Sequence, residues 1–445
     1  MTGFTVRWLF MSFDKVIDYG NLLKSGEECC RGGRWKPSVQ NFEMTLLRQT
    51  SRTRKNVLDG TYKPYKTNDF EIHERGKVRQ IKAHKIQDRQ LYKSFCTYEL
   101  KPSTQNKILP SNAASQINKG TQYSIKGFRR GLAKATRKWG NDFYVITVDF
   151  HDYFGTIPHS KVSEFIPLSD EASKLLLGEY LDTFPGDKGI GIGGEPSQDI
   201  SVVYPSKIDR MLSCEPCVIA SGRYMDDSYA IVHTKTEAKY VLGKIRKMAD
   251  SLDLIINESR TKISHMKKDT VIWLKKRTRI TSSGKIVMQL TRKNIRDEIR
   301  RINYQNKLVD EDKLPRYVAD ISIECWCAYA KDYNSRRAMK KVIEHYANTF
   351  NVSWDDAKIL FKKEAYRMDK DVRAEISAIW DKMLEIEKKL SDFTDMLHAQ
   401  STNGINENGE AVLDVADVSD ENSQAIIDLG DAVDDLSNRV SALES

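Results

Sequence analysis

Tyr224-Met225-Asp226-Asp227 stands between Ser221-Gly222-Arg223 and the alternating run Ser228-Tyr229-Ala230-Ile231-Val232-His233, so two adjacent carboxylates fall at the tip of an expected β-hairpin. Like charges about 4 Å apart repel by roughly 4 kcal/mol at an effective dielectric near 20, and a cation is expected to offset this. Mg²⁺ suits the place because it takes hard oxygen ligands, keeps waters and is completed by substrate phosphates; Mn²⁺ is a second option. Phosphoryl transfer with two metal ions needs a third carboxylate on a neighbouring strand. The apolar run Phe143-Tyr144-Val145-Ile146-Thr147-Val148 ends on Asp149-Phe150 and supplies one. Lys262 is a further candidate, as proton donor or counter-charge to a leaving pyrophosphate. An exposed lysine beyond an amphipathic helix over 238–254 describes it equally well.

To hold these acids together, the strand ending at Asp149 has to pair with the 221–233 hairpin in one antiparallel sheet covered by helices. The motifs then occur in a fixed order over roughly residues 60–340. Lys77-Val78-Arg79-Gln80-Ile81 leads to Gln87-Asp88-Arg89, followed by Asn118-Lys119-Gly120-Thr121-Gln122-Tyr123-Ser124-Ile125 and by Asp149 to Phe154. After them come Ile192-Gly193-Gly194-Glu195-Pro196-Ser197-Gln198, the Tyr224 to Asp227 box, Asn257-Glu258-Ser259-Arg260-Thr261-Lys262 and Trp273-Leu274-Lys275.

In this order and spacing the chain resembles bacterial and phage reverse transcriptases. The resemblance implies an α+β right-hand polymerase: an N-terminal extension over 1–65, fingers over 66–142, palm over 143–280 and helical thumb over 281–350. Beyond it lie a helical and coiled-coil segment over 351–400, a linker over 401–409 and an acidic, coiled-coil-like tail over 410–445. It also implies roles. Asp149, Asp226 and Asp227, with the carbonyl of Phe150, are the metal ligands. Lys77, Arg79, Asp152, Tyr153, Phe154 and Gln198 contact the incoming nucleotide, Phe154 as the ring that blocks a 2′-hydroxyl. Gly193, Ser197, Tyr224, Met225, Trp273 and Leu274 contact template and primer. The Ser197-Gln198 ending resembles error-prone enzymes of diversity-generating retroelements, and some defence-associated enzymes are similar.

Read as residues alone, several of these keep a second meaning. Lys77 and Arg79 alternate on an extended segment, where they face either a triphosphate or solvent. Phe154 reads equally as a core aromatic. The glycine-rich run 186–194 lets backbone approach a ligand, but no Lys-Ser or Lys-Thr pair ends it as a phosphate loop would. Cys214-Glu215-Pro216-Cys217 has CxxC spacing without a second pair to complete a zinc site, and reads as a turn.

Charge and periodicity bound the rest. Residues 405–445 hold eleven Asp and Glu against one Arg; with the whole chain at +9, the first 404 residues carry +19. Such a basic body fits a phosphate backbone. Helical patterns are expected over 42–58, 292–307 and 321–331, the last two lining a nucleic-acid groove. Ile376, Ile379, Met383, Ile386, Leu390, Phe393 and Leu397 keep steps of three and four, a coiled-coil seam for self-association or an accessory protein. No run of eighteen apolar residues occurs and the seven cysteines are scattered, which predicts a cytoplasmic, membrane-free protein without a disulfide framework. No RNase H-like, endonuclease or integrase acid set follows the thumb, which predicts work on a dedicated noncoding or template RNA, with a DNA primer or product and dNTPs. A template-independent or protein-primed DNA polymerase and a non-catalytic RNA-binding scaffold are the alternatives.

Overall fold

A computed structural model describes residues 11–74, 77–168 and 170–361. Contacts divide the chain into a unit over 1–357 and another over 358–445, the second described only through the turn Lys358–Phe361. The expected coiled-coil seam, the linker and the acidic tail lie outside the described residues. The fold is mixed α and β, with small antiparallel sheets among many helices.

The four-stranded sheet has the order β4-β5-β3-β6, formed by β3 (Tyr144–Val148), β4 (Ala220–Tyr224), β5 (Asp227–Val232) and β6 (Lys262–His265). Period-two alternation sorts its side chains. Ile146, Val148, Ala230 and Val232 enter one buried cluster with Ala238, Val241 and Ile245 of the helix Lys235–Ser251. That helix begins where Thr234 and Glu237 form a reciprocal capping box, three residues before the expected start at 238. The opposite face carries Tyr229 and Ile231 against the helix Thr121–Trp139. Gly131 is required at this crossing, because a Cβ there would stand 2.9 Å from the Ala220 Cβ and 3.2 Å from Ile231.

Two smaller sheets flank this one. β1 (Asn68–Glu74) and β2 (Lys77–Ala83) form a hairpin, and β7 (Val271–Trp273), β8 (Lys276–Ile280) and β9 (Ile286–Leu290) a meander. The expected helix over 42–58 is two helices, Pro37–Met44 and Leu46–Leu58. The break falls at Thr45, whose hydroxyl donates back to the Asn41 carbonyl (2.9 Å) and competes with the helical ladder. The expected helices over 292–307 and 321–331 are longer: Arg292–Asp310 is capped by Thr291, and Arg316–Lys331 starts after Pro315. Arg336–Phe350 follows. The CxxC segment joins the helix Ser206–Cys214 to β4 by a turn, and all seven cysteines are free thiols. Among the described residues no helix is long and apolar enough to cross a membrane.

Candidate active site

Register brings the acids together. Val148 pairs with Ser228 and Tyr224 with Asp227, so one step further along the ladder Asp149 falls beside Asp227. Met225 and Asp226 form the two-residue turn of the β4–β5 hairpin, Met225 in the left-handed region at φ 55°. A non-glycine residue there stores strain, which persists only where surrounding contacts impose it.

The imposing contact comes from beneath. Arg223 is 1 % exposed. Its guanidinium donates to both carboxylate oxygens of Asp209 (2.7–3.0 Å), to the Met225 carbonyl (3.0 Å) and to the Val202 carbonyl (2.6 Å). Burial lowers its pKa, but Asp209, with smaller contributions from Tyr153 and Asp226, raises it overall. The turn that carries Asp226 is thus pinned from below to the helices Glu195–Val203 and Ser206–Cys214.

Phe150, Asp152, Tyr153, Phe154, Tyr224, Met225, Asp226 and Asp227 line one cleft of about 2370 Å³. Its other walls include Arg79, Gly193, Ser197, Gln198, Leu274 and residues of the helices Arg292–Asp310 and Arg316–Lys331. Asp149 is not among the cleft-lining residues, although its neighbour Phe150 is, and its side chain is 13 % exposed. Asn257 Nδ2 donates to its Oδ2 (2.8 Å), and Arg260 Nη1 stands 3.6 Å from the same atom. A basic group therefore already answers the charge of Asp149. Lys262 is exposed on β6 opposite Thr147 and, like Asp149, is not among the cleft-lining residues.

Other expected residues serve the frame of the cleft. Tyr153 is buried and donates to the Ser201 carbonyl (2.5 Å) while stacking on Phe150. Phe154 is half-buried with its ring edge on Tyr153. Asp152 is exposed at φ 42°. Ser197 spends its hydroxyl on the Ile190 carbonyl and Tyr180, and Tyr180 Oη accepts from its N–H (3.1 Å). Gly193 makes its close approach to protein, because a Cβ would stand 2.7 Å from the Lys82 carbonyl. The glycine run thereby docks on β2, where Lys82 N–H donates to Ile192 (2.9 Å). Gln198 is exposed, and its amide donates to Ser115 Oγ (2.6 Å). Lys77 and Arg79 lie on β2 opposite Glu74 and Ile72.

The β7–β8 turn is built differently from expectation. Trp273 is buried beneath it, with Nε1 donating to Ser124 Oγ (3.2 Å) and the ring against Phe128 and Tyr229. Leu274 (φ 43°) and Lys275 (φ 64°) form the turn and face the cleft. Lys276 is fully buried, with Nζ 3.5 Å from the centre of the Tyr329 ring and 4.2 Å from that of Tyr333. Burial, then Lys275, lowers its pKa to about 8.

Arg223, Asn257 and Arg260 stand in the sequence motifs without a role that the residues alone reveal, and Asp209 and Lys276 stand outside them. Alternation marks Arg223 as an inward position next to the hairpin tip, where a buried charge demands a partner; nothing local names Asp209. One more cluster able to offer metal ligands joins Cys96 to Glu195 and Asp199 of the Gln198 helix, both of which line the cleft. Lys101 Nζ stands 2.6 Å from Glu195 and 3.6 Å from Asp199, and Lys93 lies 3.3 Å from Glu195, so lysines already neutralise it. No family model and no curated protein matches the chain.

Proposed function

We propose that the chain is an RNA-directed DNA polymerase of the right-hand type, with residues 66–142 as fingers, 143–280 as palm and 281–350 as thumb. The observation that supports this reading is the antiparallel pairing of β3 with β5, whose register carried one step past Val148–Ser228 brings Asp149 level with Asp227, while Asp226 and Asp227 line a cleft of about 2370 Å³.

The donor set fits Mg²⁺. Three carboxylates offer hard oxygens of the kind Mg²⁺ takes, and Phe150, which lines the cleft, would add its carbonyl. When bound, Mg²⁺ would supply positive charge that offsets the negative charge on the attacking and leaving oxygens. The reaction is attack of a primer 3′-hydroxyl on the α-phosphorus of a dNTP; a new P–O bond forms, the α–β bridge breaks and pyrophosphate departs.

The chain's own residues position the partners. Asp226 and Asp227 are presented on a turn that Arg223 holds rigid. Phe154 stands on the cleft floor where a sugar ring passes, and Arg79 lies on the wall above for the triphosphate. Gln198, at the start of its helix, reaches the nascent base pair, and Leu274-Lys275 support the primer strand. The basic first 404 residues suit an RNA template and its DNA copy. The Ser197-Gln198 ending favours the error-prone, diversity-generating class over faithful copying.

Purified protein is expected to extend a DNA primer on an RNA template with dNTPs and Mg²⁺, and to stop when the ion is chelated or when Asp226→Asn and Asp227→Asn are combined. Extension by that double variant would remove the assignment.

A further inference from the structure

The helix Thr121–Trp139 borders the cleft at its first turn through Thr121 and Ile125, and then runs on along the sheet. It holds six basic residues and no acid in 19 positions: Lys126, Arg129, Arg130, Lys134, Arg137 and Lys138. All six are exposed. At about 100° per residue they fall on one side, opposite the buried stripe Ser124, Phe128, Gly131, Leu132 and Ala135 that packs on β4 and β5. None of the six lines the cleft, and none forms an ion pair among the described residues. Lys134 reaches the Ile219 carbonyl (3.5 Å) and Lys138 lies over Trp139; among the described residues Lys126, Arg129, Arg130 and Arg137 donate no hydrogen bond.

A helix gains nothing for its own stability from six like charges, since pairs at three- and four-residue spacing repel. Arg130 with Lys134 and Lys126 with Arg129 and Arg130 are such pairs, and Lys134 with Arg137 and Lys138 continue the series. The arrangement is accounted for by a polyanion lying along it. From Lys126 to Lys138 the face spans about 18 Å at 1.5 Å per residue. It is a straight ridge of cations without groups to read bases, the form in which double-stranded RNA is bound by phosphate position and shape.

We propose that this face is a second nucleic-acid site, holding a double-stranded segment of RNA outside the cleft. An RNA longer than the cleft passes the first turn of this helix on leaving it, and the basic face begins one turn later. The inference goes beyond polymerisation, and binding is measured without it.

The probe is an RNA hairpin of about 16 base pairs, followed by fluorescence anisotropy with the cleft saturated by a short RNA–DNA duplex. Changing Lys126, Arg129, Arg130 and Arg137 together to Gln is expected to weaken hairpin binding at least tenfold. It should also reduce the slope of log K against log salt by between about 2 and 4, close to one for each phosphate that is no longer neutralised. Extension of a short primer–template stays within twofold of the parent. Arg129→Lys, Arg130→Lys and Arg137→Lys together keep the charge and keep hairpin binding. Hairpin affinity and salt slope unchanged in the Gln variant overturn the proposal, as does loss of binding to phosphatidylserine vesicles alone. Face-dependent hairpin binding in a protein that never extends a primer keeps this inference and removes the polymerase reading instead.

Discussion

Arg223→Met tests how the acidic turn is held. The side chain is 1 % exposed and makes three hydrogen bonds to Asp209 and two to carbonyls. Removing one partner of a buried ion pair leaves the other charged and desolvated, at a cost of about 3–5 kcal/mol. Arg223→Met is therefore expected to lose roughly that much stability in urea unfolding, with Asp209 as the orphan. Adding Asp209→Leu removes the orphan, so the double variant should recover most of the loss.

Activity should not follow stability. Met225 at φ 55° depends on the Arg223 guanidinium for its carbonyl, and that donor is missing in both variants. A turn free to leave its strained conformation misplaces Asp226 by a fraction of an ångström to an ångström, and a misplacement of about 1 Å is worth on the order of a hundredfold in rate. The double variant is expected to be folded, near parental stability and slow, with single-nucleotide addition as the assay. If it regains full rate with its stability, the turn is positioned by something else. If Arg223→Met loses less than about 1 kcal/mol, the pair is not the buried unit described.

Four further outcomes follow from the same geometry. Phe154→Ala opens the cleft floor and should raise rNTP use relative to dNTP at least tenfold; an unchanged ratio assigns the ring to the core alone. Gln198→Ala also frees Ser115, and sequencing of copied products should show a changed error spectrum at the templating base. An identical spectrum would remove Gln198 from fidelity. His84 is buried among Tyr92, Tyr180 and Phe184 with both ring nitrogens unpaired, and burial lowers its pKa to about 4. Between pH 6.5 and 4 the unfolded chain then binds the proton that the folded chain refuses, so this residue makes stability fall as pH falls. His84→Phe should lose that part of the acid slope, up to about 3 kcal/mol across the window, and parallel curves would refute the shift. Lys276→Met removes the cation held over Tyr329 and Tyr333, and should raise the KM for primer–template more than it lowers kcat, while Lys276→Arg restores part of it. Equal effects on both constants would make the contact merely structural.

Much of the site was legible because its signals are local. The apolar run 143–148 leads directly to an acid, and a hairpin with two residues at its tip leaves Asp226 nowhere else to go. Thr234 with Glu237 marks a helix start that the apolar pattern alone places late. What was missed depends on residues far apart in the chain. Arg223 meets Asp209 and Met225 in one buried knot, and Lys276 lies under rings more than fifty positions away. Arg260 stood in the same motif as Lys262, but which of two basic residues turns to Asp149 is decided where β6 begins: Lys262 is its first residue, and Arg260 sits in the preceding turn. Gly193 was expected to clear space for a ligand, and the space it clears is for the Lys82 carbonyl. A missing Cβ has the same sequence signature in both cases.

The central claim is that segments distant in sequence build one phosphoryl-transfer centre, and Asp149 is its most direct witness because it directly follows β3, while Asp226 lies in the β4–β5 turn and Asp227 opens β5. The decisive measurement is copying of an RNA template into DNA by wild type and Asp149→Asn, with dNTPs and Mg²⁺ and equal folding confirmed by melting. Complementary DNA from the wild type and a loss of at least a thousandfold in Asp149→Asn are predicted. Templated extension by the variant at the parental rate, or none by the wild type, would contradict the account.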